Sequence, residues 1–217
     1  MKKNKITAYY LIFIFSSLII SNSHSVTIII NQDCGLADAI IAANTDQTVG
    51  FCPAGNGADE LIFELENQTL NVSNGVFTSA LGGMSKLAFP TITTEISIDG
   101  KGVAIRADTS QNFYRIFDVI FPGELTLKNL SIIGAHDLDG FGSAVFSLAG
   151  KLNLINCQFK DNFIAVVIAE GNTNTITNTL FENNFASSED LYSPALQVLG
   201  SDVIINNSSF INNHVNV

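Results

Sequence analysis

Carboxylates are the side chains in this chain best placed to do chemistry. Twenty Asp and Glu stand against ten Lys and Arg, a formal net charge of −10. Six of the acids, Asp137, Asp139, Asp161, Glu182, Glu189 and Asp190, lie in the second half. Two carboxylates about 5–10 Å apart around a sugar hydrolyse a glycosidic bond. Lyase chemistry needs Ca²⁺ held by several Asp, with an Arg or Lys base. Asp161 and Glu182 fall near equivalent corners of successive sequence repeats, so they form the candidate catalytic pair. A solvated acidic edge is the simpler account of the same residues. His136-Asp-Leu-Asp139 offers metal donors, but its spacing fits no known ligand frame, and a long Gly-rich loop explains it. The sequence has no nucleophile elbow, phosphate loop or dinucleotide fingerprint, and no cofactor or metal is expected. The acidity argues against an electrostatic nucleic-acid binder and against acidic polyuronate substrates.

Three cysteines add a second kind of chemistry. Cys34 and Cys52 are 18 residues apart and flank a compact stretch. Outside the cytoplasm such thiols oxidise, and a bridge would remove ~3 kcal/mol of unfolded-state freedom. A zinc pair lacks partners, because the histidines beyond residue 25 are only His136 and His214. Cys157 sits in an alternating apolar stretch and reads as a small buried side chain.

The compartment follows from the N-terminus. Met1–Lys5 is basic, Ala8–Ile20 is an apolar run of 13 residues, and Ser21–Ser25 is small and polar. This is the three-part pattern of a secretory signal peptide over 1–25. The run is shorter than the roughly 20 residues a spanning helix needs, and no later segment is long enough to span. Cleavage removes three lysines and no acid, which takes the charge to about −13. With 47% hydrophobic residues and 16 Phe the remainder cannot stay disordered.

The elements that position these side chains are one helix and many short strands. Leu36, Ala39, Ile40 and Ala43 share a helical face, which predicts a helix over 35–44 with Asp33 as N-cap. Beyond it, Phe-, Ile-, Val- and Thr-rich runs alternate with turn residues. Four segments align without gaps: Leu125–Ile132, Leu152–Phe159, Asn174–Phe181 and Val203–Phe210. Each has an aliphatic residue five places before its end (Leu127, Leu154, Ile176, Ile205) and an Asn three places before it (Asn129, Asn156, Asn178, Asn207). Three continue into paired polar residues, Asp161-Asn162, Asn183-Asn184 and Asn212-Asn213. A fifth, looser copy covers Glu95–Val103. A repeat as short as 22 residues with period-2 alternation excludes helical repeats and predicts a parallel β-helix of stacked coils over 64–217. In it the four repeat asparagines form an inward amide ladder. Glycosylation is the competing reading of Asn67, Asn71 and Asn207, which match the acceptor pattern; stacking is favoured at Asn207.

The stretch Cys34–Asn44, with Phe51-Cys-Pro-Ala-Gly-Asn-Gly-Ala-Asp59 and Leu61-Ile-Phe63, resembles the N-terminal module of secreted bacterial β-helix proteins that carry a C-S-L-R-E-A motif. Ile96–Gly102 and Leu127–Ile133 resemble later blocks of that family. The family's Arg-Glu pair is Ala37-Asp38 here, and its G-G-A-I is Gly142-Ser-Ala-Val145. The resemblance implies an all-β, right-handed parallel β-helix of pectin-lyase-like architecture. It also implies a capping helix within an N-terminal module, 26–63, and extracellular or cell-surface placement. It implies no established reaction, and the paired Asp motifs and Gly-His-Gly of the pectin-hydrolysing β-helix enzymes are absent. The expectation is a non-enzymatic, adhesin-like scaffold for an extracellular glycan or a host or cell-surface protein. The alternative is a polysaccharide lyase or glycosidase. The chain stops at Val217, just past the Asn212-Asn213 corner, so C-terminal truncation is expected, with an open end able to pair with another chain.

Overall fold

The computed structural model describes residues 25–80, 86–108, 113–137, 142–188 and 193–216. The segment read as a signal peptide lies outside them except for Ser25. The described chain is mostly β, with one helix and long parallel sheets.

On a first face, Thr27–Ile30, Asp59–Phe63, Glu95–Ala107, Glu124–Ile133, Lys151–Ile155, Thr173–Thr177 and Asp202–Asn206 pair in that order, all parallel. Alternation dictates what each side chain does. Ile28, Leu61, Ile98, Leu127, Leu154, Ile176 and Ile205 occupy one register and form an unbroken inward column. A second face follows a bend. It stacks Thr69–Val72, the later halves of the two long strands, Gln158–Lys160, Leu180–Glu182 and Ser209–Ile211. Its inward column runs Leu70, Ile105, Ile132, Phe159, Phe181, Phe210. The last three rings stack with nearly parallel planes, 11° and 1° apart, and centroids 5.1 and 4.8 Å apart. A third face stacks Phe117–Ile120, Val145–Leu148, Val166–Ala169 and Leu196–Leu199.

The gapless alignment of the four repeats coincides with this pairing. The looser copy needs a correction. Ile105, not Val103, stands opposite Ile132, because the register shifts between Asp99 and Val103. Lys101 and Gly102 have φ of +46° and +86° there. A Cβ on Gly102 would meet the Asn67 amide at 2.2 Å, so the bulge needs glycine.

The helix spans Leu36–Thr45 and packs on the first-face strands Thr27–Ile30, Asp59–Phe63 and Glu95–Ala107. Leu36, Ala39, Ile40, Ala42 and Ala43 are buried. Its N-cap is Gly35 rather than Asp33, with no side-chain cap. Asp33 instead belongs to a turn in which Asn31 Oδ1 accepts the amides of Asp33 and Cys34. At the other end Asn44 donates to Thr91 O at 2.8 Å and accepts from the Thr93 amide at 2.9 Å. One side chain thereby ties the helix to the corner before the Glu95–Ala107 strand. Cys34 and Cys52 are joined in a disulfide, both buried, with Cα atoms 4.8 Å apart.

Candidate functional site

The corner between the first and second faces takes a left-handed backbone on rung after rung, and this decides where the asparagines stand. Between the first and second faces, Asn129, Asn156, Asn178 and Asn207 have φ of 54°, 54°, 50° and 48°. Asn tolerates this region better than other non-glycine residues. The expected inward ladder of these four is therefore corrected: Asn129 is half-buried, and Asn156, Asn178 and Asn207 are exposed. Asn156 donates to Asn129 Oδ1 at 3.1 Å, and Asn129 to Asp99 Oδ1 at 3.0 Å. Among the described residues that surface chain of amides extends no further.

The buried amide ladder lies at the next corner. Asn162 donates to Asn184 Oδ1 at 3.0 Å, and Asn184 to Asn213 Oδ1 at 2.8 Å. The amide nitrogens of Asn162, Asn184 and Asn213 also donate to the carbonyls of Ile132, Phe159 and Phe181. The residue just before each, Asp161, Asn183 or Asn212, takes the left-handed φ and points its partner inward. The paired polar residues were the sequence signal for this ladder.

Asp161 and Glu182 stand on adjacent rungs, the Asp161 amide donating to Glu182 O at 3.1 Å. Asp161 is exposed at a corner, level with Asn183, while Glu182 lies on the second-face strand. The Glu182 carboxylate is 3.0 Å from Lys160 Nζ. Asp139, Glu189 and Asp190 lie outside the described residues. Among the described residues, no group of three or more His, Cys, Asp or Glu is placed to hold a metal.

One acid from the set enters a cluster that sequence reasoning did not find. Arg115 reaches Asp118 Oδ1 at 2.8 Å and Asp137 Oδ2 at 3.1 Å, with all three residues buried. Its guanidinium lies 4.6 Å from the centroid of the Phe146 ring. Asp118 Oδ2 accepts from Ser79 and Thr91 at 2.8 and 3.2 Å, and the Asp137 amide donates to Ser143 Oγ at 3.0 Å. Asp118, Phe146 and Val167 share a register whose side chains alternate with the core residues Phe117, Val145 and Val166. The cluster therefore sits on the far side of the third face from the main core. Buried and shared, these charges fasten loops to that face. The detectable signal was a charge inside the apolar run Phe117–Ile120, three residues after Arg115.

Other titratable groups are set by burial. Burial pushes the Cys157 thiol up to about 12, so it stays protonated and inert. Asp59 is buried, and its carboxyl is shifted upward chiefly by desolvation. Its Oδ1 accepts the amides of Asn56 and Val26 at 2.9 and 3.3 Å. Among the described residues, its Oδ2 has no partner. His136 stacks 4.3 Å from the Phe163 ring and 4.6 Å from Phe113, in a half-exposed aromatic row with Phe185 and His214.

A cleft of about 530 Å³ lies where the helix start meets the first corner, lined by Leu36, Phe63, Leu70, Asp33 and Glu64 among others. A smaller one, about 220 Å³, includes Asp59, Glu95, Ser97 and Lys128. Neither contains Asp161 or Glu182. No described helix is long and apolar enough to cross a membrane. No protein-family model, curated protein or solved structure matches the chain.

Proposed function

We propose that the chain is a right-handed parallel β-helix with its N-terminal end capped by the Leu36–Thr45 helix. In this reading it is exported by the signal peptide and serves as an extracellular or cell-surface scaffold that binds a glycan or a surface protein without turnover. The observation that carries the proposal is the in-register outward row Thr27, Glu60, Ser97, Thr126, Asn153, Thr175 on the first face. Adjacent strands are about 4.8 Å apart, so Thr126, Asn153 and Thr175 within this row repeat hydroxyl and amide groups at one fixed interval. Its members already bond to one another: Thr175 Oγ1 to Asn153 Oδ1 at 2.8 Å, and Asn153 Nδ2 to Thr126 Oγ1 at 3.3 Å. Such a pre-ordered polar face loses little entropy on meeting sugar hydroxyls. The disulfide suits an oxidising exterior.

The test is a neutral-glycan array probed with the whole chain, alongside a polysaccharide panel assayed for reducing or unsaturated ends. Binding without turnover, lost in Thr126→Val/Asn153→Val/Thr175→Val at unchanged melting temperature, supports the scaffold. Release of unsaturated or reducing sugars overturns it in favour of the lyase or glycosidase alternative.

A further inference from the structure

Among the described residues, the first rung of the stack has a strand on the first face but none on the second. The chain leaves Ile30, turns through Asn31 and Asp33, and enters the helix. Thr69–Val72, the first strand of the second face, is therefore paired on one side only among the described residues. Gln68 O accepts the Ala104 amide, and Val72 O the Asp108 amide, each at 2.8 Å. Alternate residues of a parallel strand direct their backbone groups to opposite neighbours. Thr69 and Asn71 therefore turn their N–H and C=O groups to the open side.

That edge forms one wall of the 530 Å³ cleft. The floor is apolar, from Leu36, Phe63, Leu70 and Val103, and the rim carries the exposed carboxylates of Asp33 and Glu64 with no Lys or Arg among the lining residues. A free parallel edge, an apolar floor at the adjoining positions and an acidic rim select one kind of occupant. We infer that this cleft is a strand-addition site for an extended segment of another polypeptide with alternating basic and apolar side chains. Its backbone pairs with Thr69 and Asn71, its apolar residues sit over Leu70 and Phe63, and its cations face Asp33 and Glu64. The inference is independent of the glycan reading, since it uses a different surface.

The experiment titrates the whole chain into fluorescein-labelled (Lys-Val) repeat peptide and follows anisotropy, with the (Glu-Val) repeat peptide as the charge-reversed probe. The basic peptide is expected to bind and the acidic one not. Asp33→Asn/Glu64→Gln, both exposed and removable without disturbing packing, is expected to weaken binding by about tenfold and to reduce its salt dependence. Asn71→Pro deletes an edge N–H that has no partner among the described residues and is expected to abolish binding at unchanged melting temperature. Equal affinity of the parent and the Asp33→Asn/Glu64→Gln variant overturns the site, because the peptide is then adsorbing to the acidic surface at large. So does failure of the basic peptide to bind at all.

Discussion

Asn178 and Asn184 lie six residues apart and answer opposite demands. Asn178 faces solvent and is chosen for its backbone, since few residues accept φ near 50° at low cost. Asn184 is fully buried and is chosen for its side chain, which donates to Phe159 O and Asn213 and accepts from the amides of Asn162. Asn178→Gly should therefore be close to neutral in urea unfolding. Asn184→Ala should cost about 3 kcal/mol, because it strands several buried groups at once. Equal losses at the two positions would mean that the ladder contributes no more than a corner. Residue spacing located both asparagines in the sequence, but spacing is blind to the sign of φ, so it did not tell which one faces inward. Asp59 makes a separate prediction at this scale. Its folded carboxyl is shifted upward by desolvation, so the folded state favours the neutral acid. The associated stability is present below the ordinary carboxylate range and is lost as pH rises through the raised value. Asp59→Asn keeps an oxygen for the amides of Val26 and Asn56 and removes the titration. Its melting temperature should fall less than the parent's between mildly acidic and neutral pH; parallel slopes would refute the assignment.

At the scale of elements, the helix owes little to its N-terminal end. Its N-cap is a glycine without a side-chain bond, so tertiary anchors must hold it: the buried face, Asn44, and the Cys34–Cys52 bridge. The bridge closes 18 residues that contain the entire helix, so opening it should lower stability by about 3 kcal/mol. Cys34→Ser/Cys52→Ser should show an earlier urea midpoint and faster amide exchange across 36–45. An unchanged midpoint, or a reductant that leaves the parent's midpoint untouched, would sink this account. Helix and strands were legible because burial imposes periods of 3.6 and 2 on Leu36, Ala39, Ile40 and on Leu125, Leu127. The Phe77–Thr78 and Lys86–Leu87 antiparallel pair and the Asp99–Val103 bulge were not legible, since each interrupts a period locally. Arg115 and Asp118 escaped for a related reason. Their partners Asp137 and Thr91 are distant in sequence, and only the stacking of the third face brings them together.

For the whole molecule, a residue's worth depends on how many rungs cover it. Phe159, Phe181 and Phe210 are the same side chain in the same register on three successive rungs. Phe181 is fully buried between two parallel rings, whereas Phe210, with one ring below it, is 46% exposed. Ile205 and Val215 on that last described rung are likewise 44% and 47% exposed, against 0% for Ile176 one rung earlier. In a stack whose rungs contact mainly their neighbours, stability is close to a sum of rung and interface contributions. Phe181→Ala should therefore cost about 3–5 kcal/mol, the range for a buried aromatic. Phe210→Ala removes less buried area and one stacking partner rather than two, and should cost about 1–2 kcal/mol. The coupling between the two, from the double variant, should be on the order of 1 kcal/mol, the worth of one stacked pair. Urea unfolding at a protein concentration too low for association measures all three. A Phe210→Ala cost equal to that of Phe181→Ala would show that something covers the last rung in solution. A loss that grows with protein concentration would identify the cover as another copy of the chain.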